Sequence, residues 1–372
     1  MILNGTKVEI TDEKTGLVLK KTTTSEGEFL NHKIAVNNFL FKCEQQRLTN
    51  DKPLLNNPFQ INHIRYINKK LRWDFESIQS SRHHASIQKR FYFAFQQRSI
   101  NQWKSLTFSE AEVDFQTLAF MGLTYVPYPI PLNASLEEWL PRRENAISQL
   151  HKSQILVPII CSEHKRDTFE DIFNYEFENS KLIGVQCYGL NNANTITNLI
   201  KIKLRNMKLQ TGDEAPLLLG LSYSKVLPKS FSCVSGSFAY ACYGFDILSE
   251  RQVFLENMPT DVAKKILSKK VEEIMKYDKT LGGFNLSAEQ EFYDGINITR
   301  EFLEEVKLSE GLTQYQAIQW ANHLGQQEDF NILNNRLLES AYEEDSALNY
   351  IESEKERWSV FWKTNMPKMG GL

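Results

Sequence analysis

Five short, continuously apolar runs recur at a spacing of roughly 30 residues, and this rhythm restricts the chain to very few folds. The runs begin near residues 124, 154, 182, 217 and 244, with helix-compatible segments between them. The clearest are LIGVQ at 182–186, LLLGLS at 217–222 and GFDIL at 244–248. A strand that is apolar at every position is buried on both faces. Buried strands joined by segments of this length predict parallel pairing through right-handed crossovers. The fold class is therefore read as α/β, with a TIM-barrel-like core at residues 85–255 and an open doubly wound sheet as the alternative. With RFYFAF at 90–95 the runs make about six strands, so a barrel would need two more from the front of the chain.

Flanking segments differ in character. Residues 1–84 read as an N-terminal mixed, basic segment that opens with a hairpin, strands at 7–10 and 17–20 around the turn DEKTG at 12–16. Within the core, helices are expected at 109–121 with Ser109 as N-cap, and at 135–151 behind a capping box of Ser135 and Glu138. Further helices are expected at 167–179, 195–207 and 235–243. Beyond residue 258 the strand signal stops. Helices are expected at 261–277, 287–308, 313–324, 330–342 and 346–362, forming an acidic helical region over 256–372.

Composition narrows the class. A hydrophobic fraction of 41% with 24% charge suits a soluble globular protein, and a net charge of −3 argues against a global polycation. The charge is uneven, however. Residues 1–104 hold 17 Lys/Arg against 9 Asp/Glu, and residues 251–372 hold 14 against 21. That asymmetry fits either a nucleic-acid face or two ordinary solvated surfaces. Five cysteines without a CxxC favour a reduced, cytoplasmic protein with no metal site, and no cofactor motif is present. No apolar run approaches the length of a membrane span, and the first residues do not form a signal peptide.

No Walker loop, dinucleotide fingerprint, HExxH or GxSxG occurs. Candidate chemistry gathers instead at strand ends. Glu163 and His164 follow the run at 154–161 and could do acid–base work or form a solvated loop. Gln186 closes an apolar strand and carries both donor and acceptor, which suits either a base edge or a satisfied core amide. Asp246, flanked by apolar residues, could be a nucleophile or one half of a salt bridge. Ser235 and Ser237 flank a glycine where a helix N-terminus could hold phosphate, or simply be capped. In the basic segment Arg65, Lys69, Lys70, Arg72, Arg82, Lys89, Arg90 and Arg98 interleave with Tyr66, Trp73, Phe91 and Tyr92. Such cations and rings bind phosphates and unpaired bases, or face solvent and core. Trp358, Phe361 and Trp362 read as a docking helix or as core.

Three of these runs, in this order, resemble the tRNA-guanine transglycosylase family and its DNA-modifying relatives. IGVQ at 183–186 is similar to the family's strand ending in a base-contacting Gln, GLS at 220–222 to its base-pocket strand, and GFDILS at 244–249 to its nucleophile strand. The resemblance implies a barrel enzyme that exchanges guanine for a 7-deazaguanine in tRNA or DNA. It implies Gln186, Gly220 and Ser222 around the base; Glu163 and His164 join them as substrate-binding candidates from their own strand-end position. Asp246 would act as nucleophile, and Arg65, Lys69, Lys70, Arg72, Lys89 and Arg90 would hold phosphates. Two departures stand out: Ser249 occupies the position of the family's nucleophilic Asp, and the zinc-binding cysteines are missing. Two other classes are carried forward. One is a non-catalytic nucleic-acid-binding or scaffold protein with a protein partner on its acidic helices. The other is a small-molecule metabolic barrel enzyme with its anion site at Ser235 and Ser237.

Overall fold

The computed structural model describes residues 1–36, 59–65, 75–87, 89–190, 192–227, 233–251, 259–267, 274–286, 314–343 and 345–365. The chain opens with β1 (Leu3–Asp12), β2 (Leu17–Thr24) and β3 (Gly27–Leu30), an antiparallel sheet in that order. The expected hairpin is there, lengthened at both ends. Next come β4 (Lys33–Ile34), β5 (Phe59–Arg65), α1 (Phe75–Ile87), β6 (Phe91–Gln97), α2 (Ile100–Lys104) and α3 (Phe108–Phe120). The core continues as β7 (Tyr125–Pro129), α4 (Leu136–Gln149), β8 (Ile155–Cys161), α5 (Arg166–Asn179), β9 (Leu182–Gln186) and α6 (Ala193–Asn206). It finishes with β10 (Leu217–Tyr223), α7 (Gly236–Cys242) and β11 (Ile247–Glu250).

A six-stranded parallel sheet runs β4-β11-β10-β9-β8-β7, and β5-β6 form a separate parallel pair. Backbone bonds join the two, since Val36 N donates to Phe59 O and Ile61 N to Val36 O. The strand spacing thus anticipated a parallel α/β core. Two further parallel strands, β4 and β5, come from the front of the chain.

Between β6 and β7, which lie side by side, the reason no ladder is formed can be read from β7 itself. Ile130 N donates to Ile159 O on β8. With period two, the amides of 126 and 128 also face β8, while those of 125, 127 and 129 face β6. Positions 127 and 129 are prolines and have no N–H to donate. The buried Gln96 side chain on β6 has no partner for either amide atom among the described residues, and it faces a small cavity lined also by Arg98, Asp114, Pro127 and Pro129. Gln96→Leu is therefore expected to be neutral or stabilising by about 1 kcal/mol in a denaturant melt. A loss of more than that amount would mean that Gln96 is satisfied in solution.

Alternation divides the apolar residues into two clusters. One face carries Ala35, Phe59, Ile61, Phe91, Phe93, Phe95, Tyr125, Val157, Ile159, Leu182, Leu217, Leu219 and Ile247, all in one cluster. The other face, with Val126, Tyr128, Ile160, Val185, Leu218 and Leu248, packs under the helices. Sequence order and capping set those helices. Ser135 and Glu138 form the expected capping box on α4. On α3 the cap is Thr107, boxed with Glu110, two residues before the expected Ser109.

The amino ends of the strands are closed by β1–β3. Leu3 N donates to the Tyr125 hydroxyl at 2.7 Å, and Leu3 joins the inner cluster. The C-terminal region is α8 (Thr260–Leu267), β12 (Lys276–Asp278), β13 (Gly283–Asn285), α9 (Gln314–Glu339), α10 (Ser346–Glu354) and α11 (Glu356–Asn365). Here the sequence reading needs correction. A hairpin, β12-β13, cuts off the end of the helix expected at 261–277 and fills the stretch after it; the Asp278 carboxylate accepts from Leu281 N and Gly282 takes left-handed geometry at φ +65. The helices expected at 313–324 and 330–342 are one, held through its middle by Gln326 and Asp329, which bond buried partners. The helix expected at 346–362 breaks at Lys355, whose ammonium turns inward to Asp329 at 3.0 Å. The helix expected at 287–308 lies outside the described residues. Among the described residues, no helix is long and apolar enough to cross a membrane.

Candidate functional site

The inner face of the strands is apolar along its length and turns polar at the carboxyl ends. On β5 the inward positions run Phe59, Ile61, His63; on β6 they run Phe91, Phe93, Phe95, Gln97; on β11 they are Ile247 and Ser249. Across the sheet Cys161, Gln186, Leu221 and Ser249 stand in register on β8, β9, β10 and β11. Buried polar groups are expensive unless bonded, and His63, Gln97 and Ser249 are bonded to one another.

The shortest chain of contacts joins three strands. His63 Nε2 lies 2.7 Å from Ser249 Oγ, and His63 Nδ1 lies 2.7 Å from Gln97 Oε1. A carbonyl oxygen only accepts, so Nδ1 carries the proton and donates to Gln97. Nε2 then carries the lone pair, and the Ser249 hydroxyl donates to it. Burial pushes the His63 imidazole down to about 4, so it is neutral at pH 7. Ser222 Oγ donates to the same Gln97 oxygen at 3.4 Å. Ser222 reaches it from a β-bulge: Leu221 pairs with Ser249 and Tyr223 with Glu250, so Ser222 is the extra residue, at φ +60.

Gln186 lies in the same layer but is fully committed. Its Nε2 donates to Arg98 O at 2.5 Å and to the Tyr188 hydroxyl at 2.9 Å, and its Oε1 accepts from Arg98 N at 3.4 Å. It ties β9 to the end of β6. The Arg98 guanidinium pairs with Asp114, whose carboxyl burial raises to about 6.

Asp246 is elsewhere. It precedes β11 and so sits at the amino ends, on the side closed by β1–β3. Its carboxylate accepts from Lys20 Nζ at 2.9 Å, Asn31 Nδ2 at 2.8 Å and Leu218 N at 2.7 Å, and it is 1% exposed. Gly220 lies between the inward Leu219 and Leu221, on the opposite face, packed against Phe245 and Leu248. Glu163 is held by Asn192 and Thr195. His164 is buried with its ring nitrogens 2.8 Å from Cys161 O and 3.0 Å from Pro131 O, which fixes a loop rather than presenting a base.

The other candidates also have structural employment. Ser235 caps α7 by accepting from Phe238 N, and Ser237 donates to Gln326 Oε1 at 2.6 Å. Gly236 between them is required, since a Cβ there would stand 1.8 Å from Ser224 O. Of the basic segment, Lys69, Lys70 and Arg72 lie outside the described residues, and Arg65 ends β5. Arg82 donates to Met121 O and Gly122 O, Arg90 is buried, and Lys89 is exposed 3.8 Å from Glu26. Trp358 stacks on Phe238 at 4.0 Å and Phe361 is buried beside it, so this aromatic helix docks on its own chain. Among the described residues no group of three or more His, Cys, Asp or Glu could hold a metal.

His63, Gln97 and Ser249 were passed over as a unit in the sequence, although a signal was present. In FQINHIR at 59–65 the period-two positions are Phe, Ile, His, Arg, and in FYFAFQQ at 91–97 they are Phe, Phe, Phe, Gln. Each series goes from apolar to polar toward the carboxyl end of its strand. Compared with known proteins, the chain matches no family model and no curated protein.

Proposed function

We propose that the eight parallel strands β4–β11 close into one barrel, and that the chain is a small-molecule barrel enzyme with its active centre at the strand carboxyl ends. Three observations support closure: the unbroken bonds from β7 through β11 and β4 to β6, the adjacency of β6 and β7, and the single inner cluster that both sheets share. The function rests on one observation, the polar layer of His63, Gln97, Gln186 and Ser249 above an apolar interior. Barrel enzymes place their chemistry at this end. The anion site once expected at Ser235 and Ser237 has no part in this reading, because both hydroxyls are used within the fold.

Base exchange on tRNA or DNA is the second reading. It is favoured by the way Gln186, Ser222 and position 249 come to the same end, as the family resemblance expects. It is weakened by Asp246, which is neutralised by Lys20 at the opposite end. Filter binding of tRNA and of single- and double-stranded DNA across a salt series separates the two. We expect no salt-sensitive binding and no incorporation of labelled guanine. Tight binding that falls steeply with salt, together with guanine incorporation, would overturn the small-molecule reading.

A further inference from the structure

Resting on that reading of the carboxyl-end site, we propose that Ser249 is a nucleophile activated by His63 and positioned by Gln97, and that the unit hydrolyses a small carboxylic ester. The geometry is that of a nucleophile, a base and an orienting group: Oγ to Nε2 at 2.7 Å, then Nδ1 to Oε1 at 2.7 Å. Three strands supply the three groups, so the arrangement exists only in the folded chain. The acceptor on Gln97 dictates the tautomer, and the tautomer leaves Nε2 free of hydrogen to take the serine proton.

The step balances with water alone. Ser249 Oγ bonds to the ester carbonyl carbon while its proton passes to His63 Nε2. The bond from carbon to the leaving alkoxide breaks, the electron pair goes to that oxygen, and Nε2 returns the proton to it. Water then attacks the acyl-serine, gives a proton to Nε2, and releases the carboxylic acid as Oγ regains its hydrogen. Glycosyl transfer suits this centre less well. It needs a carboxylate against a developing oxocarbenium ion, and among the described residues of this layer His63, Gln97, Cys161, Gln186, Leu221 and Ser249 include none.

Two features set the expected rate. Gln97 orients the imidazole but carries no charge to balance an imidazolium, as an aspartate would. The basicity of His63 is low because it is buried. Acylation is thus expected to be slow and deacylation slower, giving a burst. Access is limited: Ser249 is 0% and His63 1% exposed, and Gln97 beside them is half-buried. A small probe is required.

The experiment is the reaction of the full chain with p-nitrophenyl acetate. We expect a nitrophenolate burst of about one per chain, with an acetyl group found by peptide mass spectrometry on Ser249. Ser249→Ala should abolish the burst. His63→Gln should slow it by at least about a hundredfold, within the range general-base removal produces. Gln97 acts through His63, so Gln97→Leu should slow the burst and alter its pH profile at unchanged melting temperature, and Gln97→Glu should restore the rate. Ser249→Cys, nearly isosteric, serves if the alanine variant does not fold, and should shift the acetyl group to the thiol. A folded wild type that is not acetylated at Ser249, or a burst that survives Ser249→Ala, would sink the proposal. If Ser249 is not acetylated and polynucleotides do not bind, only this inference fails; if polynucleotides bind with salt sensitivity, the small-molecule reading fails with it.

Discussion

Asp246→Ala is expected to destabilise the protein by about 3–5 kcal/mol, the usual effect of removing one partner from a buried ion pair. The Lys20 ammonium is 0% exposed and would lose its counter-charge, keeping Pro216 O at 3.3 Å among the described residues. Asn31 Nδ2 and Leu218 N would lose an acceptor in the same step. The pair also fastens β2 to the segment entering β11, so the amino-end sheet should loosen with it. Lys20→Met combined with Asp246→Leu should recover most of the loss, since an apolar pair of similar volume avoids burying charge. Urea melts of the two single variants and the double would measure this. A loss below about 1 kcal/mol for Asp246→Ala would contradict a structural role and reopen a catalytic one.

The second large effect is a steep fall in stability on acidification. His63 is held down at about 4 and His323 at about 3, both through burial, and Lys225 and Arg90 lower His323 further. An unfolded histidine titrates near 6.5. The folded values lie below the unfolded one, so the unfolded state takes up protons first. The stability these residues contribute is present above about pH 6.5 and is lost as pH falls toward 4 and 3. At pH 5 each should have lost about 2 kcal/mol. Asp114 acts in the opposite direction. Its folded value of about 6 is raised above the unfolded one, so protonating it relieves about 1 kcal/mol between pH 7 and 5. The net loss is about 3 kcal/mol by pH 5. His32 and His164, both lowered by burial, add to it. Melting temperature against pH would show the fall, and His323→Leu should flatten it. A profile that is level from pH 7 to 5, or unchanged in His323→Leu, would mean that these imidazoles are hydrated in the folded state.

Much of the architecture could be read from local chemistry. The runs at 154–161, 182–186 and 217–222 appear as β8, β9 and β10 within a residue or two, because apolarity at every position fits only a strand covered on both faces. Ser135 and Glu138 announced α4, because a capping box is settled within four residues. The strand β4 was not visible. Two residues, Lys33 and Ile34, have no pattern of their own and become a strand only because β11 offers its edge. The β12-β13 hairpin was missed because it is short and its pairing partner gives it the conformation.

The candidate site shows the same division. Residue types and period alone indicated that chemistry would gather where apolar strands end, and they pointed to Gln186, Ser222 and Asp246. Asp246 and Ser249 are three residues apart, and the strand between them carries them to opposite ends of the sheet. One meets Lys20, 226 residues away in sequence, and the other meets His63, 186 residues away. A sequence fixes which face a side chain takes through its period, because alternation is local. The partner waiting on that face is set by register and pairing among distant strands, so only the tertiary structure decided that the aspartate is neutralised and the serine hydroxyl lies against an imidazole.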